Sequence, residues 1–264
     1  MDKVMENLLD ILLNQYQTLI LLIVRVTGLF IISPIFSRIN IPETYKIGFS
    51  VLLSFILLNT VEGPSTPLTD LLLIIACIKE LITGFIIGFI AYLFFSVFFI
   101  IGQIIDIQIG FGMVSVLDPQ SNVQIPITGN FYQIIATLIF LVVNGHHLLI
   151  EALVSSYDYI PMGKFVFSSD MVRQIVFILG KLFILGFKIS SPILVVIILA
   201  DVLLGILAKT MPQMNVFIVG MPLKIMVGIF LIIVTLPGFF IALQHIFNNM
   251  HEEIFNFLKA IQKG

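Results

Sequence analysis

The sequence predicts an all-α integral membrane protein, and three observations carry that reading. Of its 264 residues, 59% are hydrophobic and only 11% charged, with a mean hydropathy of +1.15; a soluble domain carries about 25% charged residues. Residues 81–105 and 225–244 contain no charge at all, and each run is long enough to cross a hydrocarbon core of about 30 Å as a helix. The apolar blocks are separated by short breaks marked with proline and glycine, with no long polar linker, repeat or low-complexity tract between them. One polytopic membrane domain covering residues 1–264 is therefore expected.

Six apolar blocks follow one another: 17–36, 46–61, 69–105, 130–150, 172–208 and 216–247. The first is preceded by Asp2, Glu6 and Asp10 and is followed by no small-residue cleavage pattern, so it is expected to stay in the mature chain. Ile39-Asn40-Ile41-Pro42 separates it from the second, and Glu62-Gly63-Pro64-Ser65-Thr66-Pro67 separates the second from the third. Tyr159-Ile160-Pro161-Met162-Gly163 divides the fourth from the fifth. Blocks 69–105 and 172–208 overshoot a single crossing, because each makes roughly 55 Å of straight helix. Either such helices project beyond the bilayer, or some blocks are kinked into hairpins. Ser190-Ser191-Pro192 marks the expected break in the fifth block, since proline removes a backbone donor and crowds the preceding turn. Both options suit a chain packed inside an assembly. If Pro222 opens the last block, Lys224 lies in its first turn, where the helix dipole disfavours a cation and a specific partner is expected.

Charge does not orient the chain. Arg38 and Lys46 against Glu62 and Asp70 would put the first loop in the cytoplasm, but Asp106 and Asp118 in the next loop come with no base. The net charge of −2 offers no surface for nucleic acid. A lone Cys77 rules out an internal disulfide and a multi-cysteine metal site. His146 and His147 are adjacent, unlike the i, i+4 pair of a zinc helix, and read as an interfacial polar cluster. No nucleophile elbow, phosphate loop or dinucleotide fingerprint occurs, so neither enzyme chemistry nor a cofactor is expected.

Arg25, Lys79, Glu80, Lys181, Lys188, Asp201 and Lys224 lie within or at the edges of apolar blocks. An ionised group facing lipid costs a few kcal/mol at least, so each should face protein or water. Lys79 and Glu80 project about 100° apart on a helix and each needs a partner from elsewhere. Lys181 and Lys188 share a face with Gln174. Structural ion pairs, snorkelling to the interface, pairing with partner subunits and a proton path all remain open readings. Ala76, Glu80, Gly84 and Gly88 recur every four residues, a stripe that lets another helix approach closely.

Residues 102–130 are the least regular part. Four glycines and two prolines argue against one continuous helix, yet Ile109, Phe111, Met113, Val114 and Leu117 are too apolar for a solvated loop. Irregular backbone of this kind is tolerated at membrane depth only within protein or along a cavity. The segment is either a re-entrant packing element or a constriction, with Asp106 at its start and Gly110, Phe111, Gly112, Met113 and Val114 as candidates for a deformable plug.

Several separate stretches, in order, resemble one family. They are Gly102…Asp106…Gly110…Asp118-Pro119, then Asn144-Gly145-His146-His147 with Ser155, Ser156 and Pro161, then Pro212-Gln213-Met214-Asn215-Val216-Phe217…Gly220…Pro222-Leu223-Lys224. With Arg25, Pro34 and Pro42 they cover essentially the whole chain. It resembles the FliR family of flagellar export-gate membrane proteins and its injectisome counterpart in type III secretion; Asn-Gly-His-His looks more like the flagellar branch. The resemblance implies a non-enzymatic gate subunit in the bacterial inner membrane, within the flagellar basal body. It implies assembly with the smaller membrane subunits FliP and FliQ and association with FlhB. The cargo would be unfolded flagellar export substrates, with membrane lipid around the gate. It also implies that the loop matching residues 106–118 helps plug the pore. The competing expectations are a secondary transporter using Lys79, Glu80, Asp106 and Asp201 for proton coupling, disfavoured by the lack of an inverted repeat, and an intramembrane enzyme.

Overall fold

The computed structural model describes residues 2–37, 41–64, 68–111, 126–213 and 215–262, with the side chains of 2–14, 216 and 217 outside that description. Among the described residues the chain forms seven helices: α1 (Asp2–Ile32), α2 (Glu43–Leu57), α3 (Asp70–Ile109), α4 (Ile127–Val142), α5 (Gly145–Tyr159), α6 (Ser169–Thr210) and α7 (Val216–Gln262). Four of them are long and apolar enough to cross a membrane, or five spans if α4 and α5 count as one broken span. The fold class is all-α, as the hydropathy pattern predicts.

The two overlong blocks resolve the same way. α3 is a single helix of 40 residues and α6 one of 42, so neither is a hairpin. The break expected at Ser190-Ser191-Pro192 does not occur, because Pro192 lies inside α6. Proline lacks the N–H that would pair with the carbonyl four residues back, here Lys188 O. Ser191 Oγ donates to that same carbonyl at 2.8 Å, and Ser190 Oγ donates to Phe187 O at 3.1 Å. Hydroxyls of the two preceding residues thus occupy the carbonyls of the strained turn, and the helix continues.

Two further points concern the ends of helices. α7 begins at Val216, where the sixth block starts, so the alternative in which Pro222 opens the helix fails: Pro222 is internal and Lys224 is not in a first turn. The fourth block divides, because α4 stops at Val142 and Asn144 takes the left-handed conformation at φ 57° before α5 starts. Asparagine is among the few residues other than glycine that adopt this geometry readily.

The helices group into two compact units. The first comprises Met1–Leu93, Asn144–Ile178 and Asn249–Gly264. In it α1 buries Leu21, Leu22, Val26, Leu29 and Phe30, all within three turns and on one side. Phe30 stacks on Phe49 of α2 with ring centroids 5.5 Å apart. Inside α2 the buried hydroxyls of Ser50 and Ser54 donate to Lys46 O and Ser50 O, so neither is left unpaired.

The second unit comprises Phe94–Val143 and Leu179–Asn248. Its core is aromatic. Phe95 and Phe98 of α3 meet Phe140 of α4 and Phe239 and Phe247 of α7 in mostly edge-on contacts, with centroids 5.0–6.4 Å apart. Edge-to-face geometry lets the rim of one ring meet the negative face of the next. Elsewhere α6 and α7 leave Phe183, Leu203, Met226, Phe230 and Ile233 more than half exposed. Apolar surface of this extent belongs against lipid or other protein.

Candidate functional site: a buried charge network and the stem of the glycine loop

Arg25 has no solvent exposure, although α1 around it is apolar. Its Nε and Nη2 donate to the two carboxylate oxygens of Glu80 on α3 at 2.5 and 3.0 Å, the two-pronged geometry that a guanidinium matches best. Nη1 donates to Ser156 Oγ at 2.9 Å and Nη2 also to Ile160 O at 2.9 Å. Glu80 accepts a further hydrogen bond from Gly163 N–H at 2.8 Å. The Tyr157 ring lies 3.9 Å from Arg25 Cζ, a cation–π contact. A buried ion pair is tolerable only when its remaining donors and acceptors find partners, and here four of the five guanidinium N–H groups and both carboxylate oxygens are engaged.

Backbone proximity makes the network possible. A Cβ on Gly84, one turn beyond Glu80, would collide with Arg25 O; one on Gly28 would lie 2.7 Å from Leu81 O, and one on Gly88 would lie 2.8 Å from Leu29 O. So α1 and α3 pack backbone to backbone along the small-residue stripe. Gly163 has φ +71°, a conformation that turns its N–H toward Glu80 and that a side chain would strain. Ser156, Tyr157 and the Gly163 amide carry no sequence signal linking them to Arg25, apart from the family motif that includes Ser156. Lys79 points elsewhere. It lines a cleft of about 900 Å³ together with Glu62, Asp158 and Lys164.

In the second unit, Asp106 sits at the base of the glycine loop, 5% exposed. Both its carboxylate oxygens accept from Thr128 N–H, at 3.3 and 3.2 Å, and Oδ1 also accepts from Thr128 Oγ1. Thr128 is in the first turn of α4, where unpaired N–H groups and the helix dipole favour an anion. Gly102 and Gly129 lie so close that a Cβ on Gly102 would collide with the Gly129 backbone. α3 ends where Gly110, at φ +100°, donates its N–H to Asp106 O at 3.0 Å. Gly110 and Phe111 are half-buried; Gly112, Met113, Val114, Asp118 and Pro119 lie outside the described residues. Thr128 carries no sequence signal for this role: the residue before the helix is Pro126, and Thr128 is the second residue inside it.

These features sit in a chain matched from residue 16 to 250 by the family described as "Bacterial export proteins, family 1". The chain belongs to that family. The "Flagellar biosynthetic protein FliR" of Bacillus subtilis (strain 168) is 32% identical over 97% of this chain and 99% of its own length. The protein of the same name from Escherichia coli (strain K12) is 26% identical over 90% of each. "Surface presentation of antigens protein SpaR" of Shigella sonnei is 30% identical over 66% of this chain and 67% of its own.

The other charged positions of this family 1 export protein separate clearly. Asp201 and Lys224 form a bidentate pair, with Lys224 Nζ 2.8 and 3.0 Å from the two carboxylate oxygens. Lys181 is half-buried and engaged, Gln174 donates to Glu253 at 3.1 Å, and Lys188 is on an exposed face. Pro212, Asn215 and Pro222 are exposed around the α6–α7 turn, while Gly220 is buried against Leu204; the Phe217 side chain is outside the description. The His146 and His147 rings lie tilted to one another with centroids 4.2 Å apart, and among the described residues no group of three or more His, Cys, Asp or Glu could hold a metal ion. Its apolar helices make the chain a multi-pass membrane protein.

Proposed function

We propose that this chain is a subunit of the flagellar type III protein export gate, seated in a bacterial inner membrane within the basal body. The observation that carries the reading is similarity to a flagellar biosynthetic protein over 97% of this chain and 99% of the relative. On this reading its partners are FliP, FliQ and FlhB, its cargo is unfolded flagellar protein, and it performs no enzymatic step. The exposed apolar faces of α6 and α7 support contact with neighbouring membrane subunits or lipid. Arg25, Lys79, Glu80, Asp106, Lys181, Lys188, Asp201 and Lys224 are then assembly charges. Glu80, Asp106 and Asp201 all have partners within the chain, which favours a scaffold over a proton-coupled transporter.

Residues 110–114 form the closing element on this reading. Glycine allows the backbone to approach and flex, and Phe111 and Met113 supply deformable bulk that excludes water. Co-purification with the two smaller membrane subunits in mild detergent, followed by native mass measurement, tests the assembly. Planar-bilayer recording of that complex tests the closure: replacing residues 110–113 with a shorter polar loop raises ion leak. A leak identical to the unaltered complex removes the plug assignment, and purification as a lone monomer removes the gate reading.

A further inference from the structure

We propose that the cleft lined by Lys79 and Lys164 binds the headgroup of a zwitterionic phospholipid, with its phosphate on the lysines and its ammonium on Glu62 and Asp158. The site requires only the membrane setting and is independent of the gate reading.

The cleft has the size and the position for such a ligand. Its volume of about 900 Å³ is that of a small-molecule site, and its lining lies wholly in the first unit. Two connections border it: the one between α2 and α3 through Thr60 and Glu62, and the one between α5 and α6 through Pro161 and Lys164. Both α3 and α6 are long apolar spans, so the cleft sits where spans end and polar headgroups begin. Lys79 lies about two and a half turns into α3, a depth from which a lysine stem carries its amine to the interface.

The wall carries two lysines and two carboxylates. Among the described residues none of the four belongs to an ion pair. Basic groups between membrane helices hold phosphate headgroups, and the two carboxylates add acceptors for a cation. Phosphatidylethanolamine supplies both signs, and its primary ammonium has N–H groups to donate. Lys79 is then a headgroup ligand and not a subunit contact.

Tyr157 points to a ligand independently. It is 7% exposed and part of the wall, and its hydroxyl is buried without a hydrogen-bond partner among the described residues. A buried hydroxyl left unpaired is costly, and a phosphate oxygen in the cleft would accept from it. The ring is held by Arg25, whose Cζ lies 3.9 Å from its centroid. Leu72 and Ile75 of α3 also line the cleft and are 51% and 43% exposed, an apolar bed for the acyl chains.

Native mass spectrometry of the full chain in mild detergent, with phosphatidylethanolamine, phosphatidylglycerol or phosphatidylcholine of equal chain length added, tests the site. One phosphatidylethanolamine should be retained about tenfold more tightly than either of the others, which lack the ammonium or its N–H groups. Lys79→Gln and Lys164→Gln should each weaken it about tenfold, and Tyr157→Phe, which keeps the ring, about fivefold. Glu62→Gln with Asp158→Asn should erase the preference over phosphatidylglycerol, while Lys46→Gln, outside the cleft, should change nothing. Glu62, Asp158 and Lys164 are exposed, so their replacement does not endanger folding. Equal or tighter retention of the other two lipids overturns the proposal, as does wild-type affinity in both lysine variants and Tyr157→Phe. Glycerophosphoethanolamine binding as tightly as the lipid would make the ligand a soluble one and overturn the lipid assignment. In the assembled complex, a photoactivatable phosphatidylethanolamine should label residues 161–164. A partner subunit cross-linked to Lys164 in place of that label would mean that protein covers the cleft, and would overturn the site.

Discussion

Arg25 and Glu80, 55 residues apart in the chain, form a two-pronged ion pair at 2.5 and 3.0 Å with neither side chain exposed. Deleting one partner strands the other charge, which is expected to destabilise the chain by about 3–5 kcal/mol. Glu80→Ala and Arg25→Ala should each lower the unfolding midpoint of the purified chain in detergent. The double apolar replacement Arg25→Met with Glu80→Leu should recover much of the loss, since no buried charge remains. A double variant as unstable as the sum of the singles would count against the pair as the source of the effect.

The small-residue stripe makes a sharper prediction, because its glycines differ in what surrounds them. Gly84→Ala drives a methyl group into Arg25 O, a backbone atom that cannot swing aside, and should cost about 1–3 kcal/mol. Gly180 on α6 has nothing within 4 Å of an added Cβ, so Gly180→Ala should stabilise the helix by about 0.5–1 kcal/mol. Thermal unfolding of the isolated chain in detergent reads both. Equal effects at the two positions would mean that α1 and α3 do not pack this closely.

Pro192 and Ser191 should be energetically coupled. Ser191→Ala removes the donor that fills Lys188 O and is expected to cost about 0.5–1.5 kcal/mol. In a Pro192→Ala background the same change should be nearly neutral, because alanine restores the backbone N–H that proline lacks. A double-mutant cycle on the unfolding free energy measures the coupling, and strict additivity would refute it.

Lys224 and Asp201 are partly exposed, at 19% and 44% of their side chains, so the pair should contribute only about 0.2–1 kcal/mol. Asp201→Lys alone sets two cations together and should destabilise the α6–α7 turn; adding Lys224→Asp should restore it. The unfolding midpoint of the swapped chain decides this. If the single reversal costs nothing, the pair has no weight in the isolated chain.

Most elements could be read from the residues because lipid imposes a simple condition, that a long apolar run must satisfy its own backbone as helix. The outer bounds of α3 and α6 lie within a few residues of the apolar blocks 69–105 and 172–208, although the blocks left open whether each was one helix. What misled at Pro192 was a local rule applied without its neighbours: the serines beside the proline supply hydrogen bonds that proline removes. Lys224 shows the reverse case. Its need for a partner could be argued from the sequence, while the identity of Asp201 as that partner could not.

By itself, the sequence determined the fold class, the membrane setting, the run of apolar helices and the family, because hydropathy and motif order are properties of the chain in one dimension. Only the tertiary structure decided that Arg25 answers Glu80, that Gly84 answers the backbone of α1, and that Asp106 answers Thr128. Each of these pairs joins segments far apart in sequence. A buried charge announces that it must have a partner, but which one is set by how backbones without Cβ atoms can approach, and that is known only once the helices have packed.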